Sequence, residues 1–159
     1  MDRVTAQAQA RFVIDDLLVS YGRCIDRGDM EALGALFGQG RLLLTDGREF
    51  SGPQDVGGFY RDLIQFYDAD GAPASYERSV TTPRTQHLVL NSRYRFDNAV
   101  SHADVESAFL VSQLCDGELK QIAAGRYEDV FDRDLAGWHF TARRIHIDLP
   151  GDLSRHLRA

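Results

Sequence analysis

Three things are scarce in this 159-residue chain: cysteine, long apolar runs and any excess of basic residues. The two cysteines, Cys24 and Cys115, show no Cys-x-x-Cys or Cys/His zinc spacing, so two free thiols and no structural metal are expected. Apolar stretches extend for only a handful of residues, far below the roughly 18 needed for a spanning helix, so no membrane partner is expected. Met1-Asp2-Arg3 leads into no signal-peptide core, and the chain reads as cytoplasmic. A net charge of -6, with both signs interspersed, provides no basic face for a phosphate backbone, so nucleic acid is not an expected partner. No metal, nucleotide or flavin motif occurs, and no cofactor is expected.

What is present is a balanced globular composition, 43% hydrophobic and 26% charged, in a length that suits one domain spanning residues 1–159. From about Val4 to Ile25, Ala10, Val13, Leu17, Tyr21 and Cys24 recur at helical spacing, flanked by Ile14, Leu18 and Ile25. Gly28 is a stop signal, and Asp29 suits the N-cap of a short second helix carrying Met30, Leu33, Leu36 and Phe37. Arg41 to Phe50 reads as a hairpin around Asp46-Gly47, a dipeptide that suits a type I′ turn. Ser51-Gly52-Pro53 starts a third helix, with Val56, Phe59, Tyr60, Leu63 and Tyr67 on one face. Asp68 to Thr82 reads as a long loop able to cover a pocket mouth.

After Arg84 the period becomes strand-like, with runs near Thr85 to Phe96, Asp104 to Cys115, Leu119 to Phe131 and Trp138 to Leu149. Helices first and an antiparallel meander after predict an α+β domain. The third-quarter strand is apolar on both faces: Phe109 and Val111 alternate with Ala108, Leu110 and Leu114. Three helices cover only one face of such a sheet, so a second subunit is expected on the other, in a homodimer or homotrimer.

Two residues carry the chemistry. Asp26 closes Tyr21-Gly22-Arg23-Cys24-Ile25-Asp26 in the last helical turn, where the macrodipole disfavours a carboxylate by roughly 0.3–1 kcal/mol. A cationic partner would keep it there. His87 opens Gln86-His87-Leu88-Val89-Leu90-Asn91, and strand parity puts His87, Val89 and Asn91 on one face, one titrating group and one amide amid apolar wall. The other histidines, His102, His139, His146 and His156, form no metal-ligand pair and read as surface or interface residues. Arg126 calls for a carboxylate partner, among the neighbours of Glu128 or at Asp148, in a structural ion pair, with substrate contact as the alternative, and the aromatics read as core first, with tyrosine hydroxyls from Tyr21, Tyr60 or Tyr67 available to a pocket.

These segments, with Gly52-Pro53, Ala124-Gly125-Arg126-Tyr127-Glu128-Asp129 and Trp138-His139-Phe140 followed by Arg143-Arg144, resemble over the whole chain the SnoaL-like branch of the nuclear-transport-factor-2-like superfamily. The resemblance implies a cone-shaped, curved, mixed or antiparallel sheet closed by about three N-terminal helices around an internal pocket. Scytalone dehydratase and hexachlorocyclohexane dehydrochlorinase in that superfamily use a His–Asp pair as the base of an elimination. By that resemblance Asp26 and His87 are the catalytic pair, and Arg143 matches a pocket arginine near the leaving group, although Arg144 is adjacent and a one-residue slip reverses the face. The expected function is a cofactor-independent lyase or isomerase acting on a small apolar oxygenated ring substrate held by Tyr21, Tyr60, Tyr67, Val89 and Asn91. Two alternatives stand beside it: a polyketide cyclase working by aldol chemistry, and a non-catalytic binding or assembly subunit.

Overall fold

Helix α1 (Arg3–Asp26) opens the fold, its first turn capped by Asp2, whose side chain accepts from the Thr5 amide. The computed structural model describes every residue from Met1 to Ala159. The buried stripe of α1 runs Ala10, Ile14, Leu18, Tyr21 and Ile25. Val13, expected on that stripe, is 42% exposed. The spacing explains this: at 3.6 residues per turn the stripe that includes both Ile14 and Tyr21 rotates position 13 outward. The helix ends in a Schellman motif, with the Gly28 amide donating to the Ile25 carbonyl and the Asp29 amide to the Cys24 carbonyl. Asp29 then caps α2 (Met30–Ala35) by accepting from the Ala32 amide.

Strands β1 (Arg41–Leu44) and β2 (Glu49–Ser51) pair antiparallel. Their turn is not the expected type I′, because only Gly47 has positive φ, at 90°. The Gly47 amide donates to the Leu44 carbonyl and the Leu44 amide to the Arg48 carbonyl, the pattern of a three-residue loop closed by a glycine bulge. Helix α3 (Gly52–Leu63) follows with Pro53 in its first turn, then the short hairpin β3 (Phe66–Tyr67) and β4 (Pro73–Ala74).

The remaining strands, β5 (Thr85–Phe96), β6 (His102–Cys115), β7 (Glu118–Asp134) and β8 (Gly137–Pro150), form an antiparallel meander. The six-stranded order is β2-β1-β8-β7-β6-β5, with β1 parallel to β8, so the sheet is curved, mixed and mostly antiparallel, as expected. One core of 21 buried residues lies between its concave face and the helices, including Leu18 and Ile25 from α1, Val56 from α3, and Phe109, Phe131 and Phe140 from the sheet. Across the outer face, Leu88, Leu110, Ala124 and Leu149 stand opposite one another on four successive strands. Leu88 is 44% and Leu149 70% exposed. No helix is long and apolar enough to cross a membrane.

Residues 68–82 do not cover a pocket mouth. They fold back on α2, where the Tyr76 hydroxyl bonds to Glu31 and accepts from the Met30 amide. The segment after β8 instead folds back on β7 and the end of α3. The Gly151 amide donates to the Ile122 carbonyl, the Gln65 amide to the His156 carbonyl and the Arg158 amide to the Leu63 carbonyl, each at 2.8 Å.

Candidate active site

The last turn of α1 lies directly against the start of β5, and there Asp26 meets His87. The Asp26 carboxylate accepts three hydrogen bonds: from the Thr85 hydroxyl at 2.8 Å, from the His87 backbone amide at 2.9 Å, and from His87 Nδ1 at 2.6 Å. These donors offset the unfavourable helix end. The two side chains are 17% and 7% exposed, so the pair is shielded from bulk water. With the carboxylate on Nδ1 the proton resides there, and Nε2 keeps a lone pair available to a bound molecule. Gly22, one turn before Asp26, permits this approach. Neither Gly22 nor Thr85 was singled out from the sequence, although Thr85 shares the His87 face of β5 by simple alternation.

His87 lines a cavity of about 310 Å3. Its walls are mostly apolar, with Ile25 and Ile64 from the helical side and Phe109, Val111 and Ile122 from the sheet. The exposed loop residues Thr45, Asp46 and Arg48 line its outer part. Polar groups inside are few, and they come from Tyr21, Tyr60, Tyr127, His87 and His156. The Tyr21 and Tyr60 hydroxyls bond to each other. Burial first, and then the nearness of a second phenol, Tyr60 to Tyr21 and Tyr21 to Tyr127, push both groups far above their ordinary range. Burial likewise raises Tyr60. All three therefore remain protonated donors.

The expected set of pocket residues is only partly brought together. Tyr21, Tyr60 and His87 line the cavity; Tyr67, Val89, Asn91 and Arg143 do not. The Tyr67 hydroxyl donates to the Arg155 carbonyl, fastening the C-terminal segment. Val89 packs against the core. Asn91 sits at the break in register between Leu90 and Arg93 with φ of 55°, and this bulge turns it to the solvent.

Arg143 is the buried member of its pair, with Arg144 exposed, yet it stops behind the cavity wall. Its Nε and Nη2 each donate to Asp129 at 2.8 Å, a bidentate pair with no exposed surface on either side chain. The guanidinium carbon lies 3.7 Å from the centre of the Tyr127 ring and 4.2 Å from that of Tyr21. Burial opposes the charge on Arg143, but the Asp129 carboxylate outweighs it and holds the guanidinium above its usual range. It supports the two tyrosines from behind rather than meeting a ligand.

Two of the polar residues inside the cavity, Tyr127 and His156, were not anticipated. Tyr127 follows from the alternation of β7 but was read only as part of a motif. His156, read as a surface residue, is 8% exposed, with Nδ1 buried and without a partner. Burial, and then the neighbouring His87, lower its pKa to about 4. Nothing in the last few residues marks it, since no period runs through them. The remaining three histidines pair with carboxylates outside the cavity: His102 with Asp132, His139 with Asp134 and His146 with Glu128. Arg126 pairs with Glu128 and Asp148. No group of three or more His, Cys, Asp or Glu side chains is placed to hold a metal ion.

Among solved structures, a variant of Rv3472 from Mycobacterium tuberculosis, a protein of unknown function, superposes with a TM-score of 0.71 at 21% identity, over 93% of this chain and 77% of that one. LinA superposes with a TM-score of 0.67 at 16% identity, over 94% and 93%. A proposed scytalone dehydratase from Novosphingobium aromaticivorans gives 0.66 at 17% identity, over 98% and 99%. These likenesses establish the fold. No curated protein matches the chain in sequence. Residues 6–144 match the SnoaL-like domain, and on that match, most of its length, the chain belongs to the SnoaL-like family.

Proposed function

We propose that this protein is a cofactor-independent lyase or isomerase acting on a small, largely apolar, oxygenated ring compound, with His87 as the base. The observation that carries this reading is the carboxylate-bound imidazole set in an apolar wall, Nδ1 held by Asp26 at 2.6 Å and Nε2 left free. In that arrangement His87 Nε2 takes a proton from carbon beside a carbonyl, and Asp26 stabilises the imidazolium that forms. The electron pair released becomes a carbon–carbon double bond as charge moves to the carbonyl oxygen. Return of the proton at another carbon gives isomerisation, whereas loss of a β-oxygen gives elimination. Protonated tyrosine hydroxyls in the cavity provide donors for oxygen atoms of the substrate. The cavity volume stands near the lower end of the roughly 300–1,000 Å3 usual for small-molecule sites, which favours a compact ring over an extended chain. The fold shared with a proposed scytalone dehydratase supports elimination.

The test follows deuterium incorporation next to the carbonyl, and loss of water, across cyclic ketones and β-hydroxy ketones by NMR. His87→Ala and Asp26→Asn are each expected to reduce the rate by about 10²–10⁴-fold, the usual contribution of a positioned base, with the circular dichroism spectrum unchanged. A near wild-type rate in either folded variant rejects the pair as the base.

A further inference from the structure

We infer that His156 is a second catalytic side chain, the donor that receives the substrate oxygen while His87 handles the proton on carbon. The inference rests on the base role proposed for His87 and adds the second imidazole that lines the same cavity.

His156 arrives from a part of the chain that otherwise has no place in the sheet or helices, and it is held there on both sides. Its own amide donates to the Leu153 carbonyl at 2.9 Å, and its carbonyl accepts from the Gln65 amide. One residue earlier, the Arg155 carbonyl accepts from the Tyr67 hydroxyl and from Gln113 Nε2. One residue later, Leu157 bridges to Ile64. This much backbone bonding fixes one imidazole in a cavity wall. The ring it positions lines the cavity; its Nδ1 is sealed from solvent without a partner. With its backbone fixed on both sides and its ring in the same cavity wall as the base, His156 has one nitrogen, Nε2, left for a ligand.

The tautomer follows from the same geometry. An orphaned buried acceptor is tolerated better than an orphaned N–H, so the proton belongs on Nε2 and the sealed Nδ1 keeps its lone pair. Burial and the neighbouring His87 hold the ring in its neutral form near pH 7. A neutral imidazole N–H can polarise an oxygen without taking the proton that His87 needs to carry.

The step balances. The carbon–hydrogen bond breaks, its proton going to His87 Nε2 and its electron pair into a new carbon–carbon double bond. The carbonyl oxygen gains the charge and accepts a hydrogen bond from His156 Nε2–H. When the carbonyl re-forms, a β-hydroxyl departs with the proton from His87 as water, and both histidines return to their starting states.

The probe is 4-nitrophenol, whose aromatic hydroxyl stands in for an enol. In 15N-labelled wild-type protein it is expected to move the imidazole resonances of His156, a measurement that needs no variant to fold. By absorbance titration, His156→Phe should bind the probe about tenfold more weakly, the loss of one buried hydrogen bond. His156→Gln, which restores an N–H donor, should recover to within about threefold. Equal binding to wild type and His156→Phe, or saturation without any shift at His156, overturns the proposal. Neither arm involves turnover, so their failure would leave the deuterium-exchange result for His87 standing, and the reverse.

Discussion

A β-carbon built on Gly22 would lie 2.7 Å from the β-carbon of His87. That distance is shorter than two carbons tolerate, so the glycine sets how closely α1 approaches β5, and through it whether Asp26 reaches His87. Glycine in a helix interior costs about 1 kcal/mol relative to alanine, and here the close approach explains its presence.

Gly22→Ala is therefore expected to destabilise the protein by about 1–3 kcal/mol despite the better helix propensity, because the helix or the strand must move. Urea denaturation measures it. Gly58→Ala in α3 is the control: an added β-carbon there meets only Arg61 Nη2 at 3.6 Å, and the substitution should be neutral or stabilising by up to about 1 kcal/mol.

Arg143 and Asp129 should behave as one unit. Arg143→Met leaves a buried carboxylate without its partner, and a loss of about 3–5 kcal/mol is expected. Pairing it with Asp129→Leu should recover much of that loss, since no charge is then left buried. A double-mutant cycle by urea denaturation gives the coupling, and additive losses would show the pair to be dispensable as a pair.

Acid should weaken the fold through His156. Its folded-state pKa, about 4, lies below the 6.5 of an unperturbed histidine, so the unfolded chain binds more protons between those values. The contribution to stability is whole above pH 6.5 and declines as pH falls toward 4, by about 3 kcal/mol across the window. His156→Gln should flatten that part of the stability-against-pH curve, measured by urea denaturation at stepped pH.

The outer row of Leu88, Leu110, Ala124 and Leu149 bears on assembly. The nearby charges of Arg126, Glu128 and Asp148 already pair with one another, so the strip offers apolar area with little net charge, and we propose a second copy of this chain as its occupant. Light scattering after gel filtration should give a mass above 17.9 kDa for wild type and a shift to monomer for Leu110→Glu. A monomeric wild type at tens of micromolar, or an unchanged oligomer in the variant, rejects the assignment.

The legible parts of the fold were those governed by one local rule. The Schellman glycine at Gly28, the cap at Asp29, the third helix at Gly52-Pro53 and the four long strands all announce themselves in short windows. The Asp26–His87 contact spans 61 positions and was suggested by family likeness together with an awkward charge at a helix end. Strand parity failed at Asn91 because a bulge adds one residue, and one residue is enough to reverse a face. Arg143 was assigned to the correct side of β8 but not to the correct depth, because the aromatic wall in front of it comes from α1 and β7. His156 was missed outright, since the segment that carries it is held by bonds to Tyr67, Gln113 and the end of α3, which no local pattern around it can report.

The parallel pairing of β1 with β8 joins Leu42 to Arg143 across most of the chain, and the cavity wall is then completed by residues after β8. Such long-range closure cannot reward the chain until nearly all of it is present. During synthesis, the edge of β1 that pairs with β8 must therefore emerge unpaired and remain so until that final strand is released. An unpaired strand edge of this kind is a template for pairing with another chain, so the interval between making β1 and making β8 is one of exposure to aggregation.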